Sequence, residues 1–153
     1  MTKRVDEAAR IVRASPAAVY GAFADPGAME SWLPPGGMTG RMTRFDFRDG
    51  GGYRMRLTYD DPGRGRGKSS ADSDDVEVSF VRLVPNRSIE QAVTFDSDDA
   101  RFSGVMRMIW TFAPVAAGTE VSVRCEDVPE GIRPEDHAAG LASTLENLAR
   151  FLE

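Results

Sequence analysis

The chain has 153 residues, 41% hydrophobic and 28% charged, enough for one soluble domain that buries most of its apolar surface without covalent or metal cross-links. Nineteen Lys and Arg against 24 Asp and Glu give a net charge of −5, which argues against nucleic acid or an anionic membrane surface as a partner. One cysteine, Cys125, excludes an internal disulfide, and one histidine, His137, leaves few ways to build a zinc or copper site, so no metal and no cofactor is expected.

Met1 to Arg13 holds no apolar core of the kind a signal peptide needs, and no apolar run approaches the roughly 20 residues of a membrane span, so a cytoplasmic location is the default. Glu7 to Ala14 reads as a strand; Ile11 and Val12 are adjacent, and the inward face is assigned to Val12 and Ala14. Ser15-Pro16 is a helix start, with Ser15 as N-cap and Pro16 in the first turn, and Val19, Tyr20 and Phe23 form the apolar stripe that follows. Asp25-Pro26 repeats the signal for a second short helix carrying Met29, Trp32 and Leu33, ended by Pro34-Pro35-Gly36-Gly37.

From Met38 the period changes to two. Thr43, Phe45 and Phe47 fall on one side, then Tyr53, Met55, Leu57 and Tyr59 after a turn at Asp49 to Gly52, which predicts a hairpin. Asp60 to Asp75 is rich in Gly, Asp, Ser and Arg with no apolar side chain larger than Ala71, and reads as a mobile loop. A second strand pair carries Val76, Val78 and Phe80, then Ile89, Gln91, Val93 and Phe95, across a turn at Pro85-Asn86. A third pair alternates Met106, Met108, Trp110 and Phe112, then Val121, Val123 and Cys125, on its inward side. Pro134 to Leu152 is a long amphipathic helix: Leu141, Leu145, Leu148 and Leu152 share one face, and Ser143, Glu146, Arg150 and Glu153 the other.

The order predicts an α+β fold, a curved antiparallel sheet wrapped around a long C-terminal helix, with two short helices after the first strand. This order resembles the helix-grip fold of the START and Bet v 1 (SRPBCC) superfamily. Within it, Ala14-Ser15-Pro16-Ala17-Ala18-Val19-Tyr20, Asp25-Pro26 followed by Trp32, Phe45-Asp46-Phe47-Arg48-Asp49-Gly50-Gly51, Val84-Pro85 with Arg87-Ser88-Ile89, and the stretch from His137-Ala138-Ala139-Gly140-Leu141 to Leu145-Glu146-Asn147-Leu148-Ala149 are similar to the branch named after the activator of Hsp90 ATPase. The resemblance covers almost the whole chain. Two positions depart from it: Leu141 stands where members often carry Trp, and the Asp60 to Asp75 segment is longer than usual.

Asp49-Gly50-Gly51-Gly52 leads into a strand, whereas phosphate-binding loops lead into a helix, so it is read as a turn whose glycines supply positive φ. His137 is the one available imidazole base, but no Gly-x-Ser-x-Gly segment accompanies it and no catalytic residue is assigned. The resemblance implies a cavity between helix and sheet, used across the superfamily for apolar and aromatic compounds. Phe45, Met55, Gln91, Met106, Met108 and Trp110 on the sheet, and His137, Ala138, Leu141 and Thr144 on the helix, are the residues expected to bound it, with Thr43, Arg82 or Arg107 as further polar candidates. The expected partner is a small apolar or amphipathic molecule, and homodimer formation is left open. A cyclase, aromatase-like or hydrolytic enzyme using the same cavity is the first alternative. An Hsp90 co-chaperone is the last, because eukaryotic activators resemble this chain in one of their two domains only.

Overall fold

The structure, a computed structural model, describes residues 4–60 and 73–153. Strand β1 (Val5–Val12) leads into two short helices, α1 (Pro16–Phe23) and α2 (Pro26–Trp32). Strands β2 (Met38–Asp46), β3 (Gly52–Tyr59), β4 (Ser73–Val84), β5 (Ser88–Phe95), β6 (Met106–Val115) and β7 (Gly118–Glu126) follow, and α3 (Pro134–Leu152) ends the chain. The strands form one antiparallel sheet in the order β1-β7-β6-β5-β4-β3-β2. This is the predicted α+β architecture, a curved sheet with a long C-terminal helix and two short helices after the first strand.

The predicted caps form. Ser15 Oγ accepts from the Ala18 amide at 3.1 Å, and Asp25 Oδ1 accepts from the Gly27 amide at 2.9 Å, satisfying N–H groups that a first helical turn leaves open. The two short helices then close one end of the concave face with aromatic side chains. The Phe23 ring lies 4.7 Å from Trp32 and 5.0 Å from Trp110, centroid to centroid, and Trp32 Nε1 donates to the Ala22 carbonyl at 3.0 Å.

Helix α3 runs alongside β1 and is tied to it at both ends. The Asp6 carboxylate meets His137 at 2.6 Å, and Glu153 accepts from the Arg13 amide at 3.1 Å. Three α3 side chains also hold the connection between α2 and β2: Ser143 Oγ accepts from the Gly36 amide, Thr144 donates to Leu33 O and Asn147 to Pro34 O, at 2.7, 2.9 and 2.9 Å.

Three details differ from the sequence expectation. Strand β1 ends at Val12, so Ala14 lies beyond it, though it still packs on the core as expected; Val12 is fully buried and Ile11 is 50% exposed, which settles the ambiguous pair. The pairing of β2 with β3 shifts between Met42 and Arg44, a bulge that turns Thr43 outward while Met42, Phe45 and Phe47 pack on the core. Of the predicted loop, residues 61–72 lie outside the described residues, whereas Ser73 to Asp75 belong to β4, paired with Arg56 to Thr58. Their polarity concealed a strand because Asp75 meets Arg56 Nε at 2.7 Å across the strands, an ion pair doing what apolar burial does elsewhere.

Candidate functional site

The apolar face of α3 divides in two. Leu145 and Leu148, at 2% and 0% exposure, pack solidly, while His137, Gly140, Leu141 and Thr144, from the first turns to the middle of the helix, border an open space of about 270 Å³. Its floor comes from alternate positions of four strands: Tyr53, Leu57 and Tyr59 of β3, Val76 and Val78 of β4, Gln91 and Val93 of β5, and Met106, Met108 and Trp110 of β6. Pro35, Met38 and Ile132 stand at its rim and also line a broader groove of about 740 Å³ outside, so the cavity adjoins a vestibule.

The polar atoms of the deep wall satisfy one another. Gln91 is 2% exposed, and its Oε1 accepts from Trp110 Nε1 at 3.2 Å. Burial pushes the Tyr53 hydroxyl pKa well up, an effect the Gln91 side chain opposes, so Tyr53 stays a neutral phenol. At the mouth the polar groups differ in kind. Asp136 and His137 line it, with the buried Asp74 elsewhere on the same space, and His137 Nδ1 lies 2.6 Å from Asp6 Oδ2, which also receives Arg4 at 2.7 Å. Arg4 holds the Asp6 carboxyl below the usual carboxylate range; partial burial opposes this and His137 adds to it. Cys125 lies fully buried near Asp6, its thiol pushed up to about 12, first by burial and then by the Asp6 charge, so it is inert as a nucleophile. Among the described residues no cluster of three His, Cys, Asp or Glu could hold a metal ion.

Of the sequence candidates, Gln91, Met106, Met108, Trp110, His137, Leu141 and Thr144 come together around this space. Phe45 does not: its ring lies 6.2 to 6.5 Å from Phe47, Tyr53 and Phe80, in an aromatic cluster of which only Tyr53 borders the space. Met55 is buried beside Gly40 of β2, and Ala138 is exposed, about 100° around the helix from His137 and off the strip that faces the sheet. Thr43, Arg82 and Arg107 are exposed; Thr43 was misplaced by its bulge, and Arg107 sits on the outer face with Glu90 at 3.0 Å. The sequence reading missed Asp6, 131 residues from its partner, because no local signal marks such a pair. It missed Asp74 because a buried aspartate in a polar run looks like loop.

A family model described as activator of Hsp90 ATPase homolog 1-like protein matches residues 13–153. Among solved structures, a crystal structure of a protein from Chromobacterium violaceum is 32% identical, covers 97% of this chain and 96% of its own, and superposes with a TM-score of 0.85. An AHSA1-like protein from Aeromonas hydrophila, solved by NMR, is 18% identical over 97% of this chain and 91% of its own, with a TM-score of 0.70. A crystal structure from Rhodobacter sphaeroides is likewise 18% identical, covering 99% of this chain and 97% of its own at a TM-score of 0.74. No curated protein matches the chain.

Proposed function

The chain belongs to the family of activator of Hsp90 ATPase homolog 1-like proteins, and on that premise we propose that it binds a small apolar or amphipathic molecule between α3 and the sheet. The observation that carries this reading is the 270 Å³ space under α3, lined chiefly by apolar and aromatic side chains. Specific ligand pockets run from roughly 300 to 1,000 Å³, and an apolar cavity of about 150 Å³ takes benzene. The occupant therefore has one ring or a short chain, with any larger part projecting into the vestibule. The buried polar atoms of Gln91 and Trp110 are already paired, so the deep wall asks for an apolar surface.

Leu141→Trp tests the reading. The ring would enter the cavity, so the variant should fold with a Tm close to that of the unaltered chain and bind an apolar reporter dye at least tenfold more weakly. In a solid core the same change overpacks and costs typically 1–3 kcal/mol. Marked destabilisation with unchanged dye affinity would sink the ligand reading. The family's name raises an Hsp90 role as well; an Hsp90 ATPase assay with this chain is expected to show no rate increase.

A further inference from the structure

The pair at the mouth of the cavity fixes which atom of His137 can meet a ligand. Asp6 lies at 2.6 Å from Nδ1 and is itself held by Arg4, whose Nε and terminal nitrogen lie 3.2 and 2.7 Å from the same oxygen. Another Arg4 nitrogen is anchored on the Ile132 carbonyl, so the guanidinium is fixed at both ends. A carboxylate so placed only accepts, and Nδ1 must carry the proton it accepts. In the neutral imidazole, Nε2 is then a bare acceptor. No hydrogen-bond partner of Nε2 exists among the described residues, and no side-chain nitrogen there is both sealed from solvent and unpartnered, so Nε2 is open. The ring lines the cavity.

The surroundings decide what that acceptor receives. No Lys or Arg of the described residues lines the cavity itself; Arg133 of the adjoining groove is paired with Glu135 at 2.6 Å and Arg4 with Asp6 at 2.7 Å, and Asp136 stands next to His137 on the same helix, so an anionic head group meets no uncompensated cation. Nε2 takes a hydrogen-bond donor, and the apolar and aromatic wall behind it favours a neutral O–H over an ammonium, whose desolvation that wall does not offset. Beyond it lie Phe23, Tyr53, Phe95 and Trp110 with Met29, Met106 and Met108, a mixture of rings and sulfurs that favours an aromatic body. We infer that the ligand is a neutral single-ring phenol whose hydroxyl donates to His137 Nε2 at the cavity mouth, with Asp6 as the residue that positions the imidazole. This rests on the cavity being a binding site and names the chemical class it takes.

Competition against a fluorescent apolar dye, with 4-ethylphenol, ethylbenzene and 4-ethylbenzoate as the competing molecules, tests it. On the unaltered chain 4-ethylphenol should bind roughly three- to tenfold tighter than ethylbenzene, the worth of one net hydrogen bond, and 4-ethylbenzoate weakest of the three. In His137→Phe the advantage of the phenol should vanish. If it survives there and disappears in Tyr53→Phe, the hydroxyl sits at the deep wall and the assignment is wrong. A benzoate tighter than the phenol overturns it too. If ethylbenzene binds and the phenol is no better, this inference falls alone; if none of the three displaces the dye, the cavity reading falls with it. A readout independent of ligand comes from the 15N spectrum of the chain's single histidine at a pH where it is neutral. Nδ1 should be protonated and Nε2 bare, the reverse of the tautomer free histidine prefers, and Asp6→Asn should abolish that preference in a chain that still folds. An Nε2-protonated ring in the unaltered chain overturns the inference.

Discussion

Gly50, Gly51 and Gly52 follow one another from the turn into the first residue of β3 and are required for two different reasons. Gly50 has φ of +80°, the left-handed region in which a Cβ costs roughly 1–2 kcal/mol. Gly51 and Gly52 do not; a Cβ on Gly51 would overlap the Asp46 carbonyl oxygen, and one on Gly52 the Val78 carbonyl oxygen of the neighbouring strand. Gly50→Ala should therefore cost about 1 kcal/mol, whereas Gly52→Ala must push β3 from β4 and should cost about 3 kcal/mol, the upper end of overpacking. Urea unfolding of the two variants orders them; equal losses would mean that the strands yield freely. The sequence reading placed this turn correctly and gave all its glycines one cause, because positive φ has a residue signature and close approach of two strands has none.

At the scale of elements, periodicity exposed nearly everything that alternates without interruption. Met106 to Phe112 and Val121 to Cys125 were assigned to the correct face, and Pro134 to Leu152 to the helix, because burial on one side leaves a period of two or 3.6 in the sequence. Thr43 was lost to a bulge, which changes parity without changing composition. The outer face of the sheet was legible only as charge. There Arg54 meets Glu77 and Asp96 at 2.9 and 2.8 Å and Arg56 meets Asp75 at 2.7 Å, which leaves this face solvated and cross-linked. Individually such pairs contribute little, but Asp75 is mostly covered, and hydrogen bonding from Arg56 lowers its pKa from 3.8 against the opposing effect of burial. A carboxylate with a depressed folded pKa stabilises above its unfolded value and loses that contribution as pH falls through the folded one. Stability should thus decline as pH drops below 3.8, with Asp6 and Asp75 both contributing, and Asp75→Asn should show a shallower acid limb in denaturant titrations between neutrality and pH 2. A limb of unchanged slope would remove Asp75 from the account.

For the molecule as a whole, the question is whether the fold gives up stability to keep a hollow. The sequence raised the expectation of a cavity at Leu141, whereas the volume of the space beside that residue depends on how β3 to β6 curve under α3, a property of the strands together and of no residue in particular. Gly140 is where the two demands meet. It lies inside α3, where glycine is roughly 0.5–1 kcal/mol worse than alanine, its φ is not positive, and an added Cβ would find no described atom within 4 Å. Packing therefore does not require glycine there, yet Gly140 borders both the cavity and the groove outside it. Gly21, inside α1, is equally free of neighbours and lines neither space, which makes it the matched control. Gly140→Ala and Gly21→Ala should each raise stability by about 0.5–1 kcal/mol. Stopped-flow mixing with an apolar dye should then separate them, because a methyl group at 140 narrows the entrance and slows association, while one at 21 leaves it unchanged. A Gly140→Ala variant that gains stability and binds dye at the original rate would show that the entrance lies elsewhere around the 270 Å³ cavity.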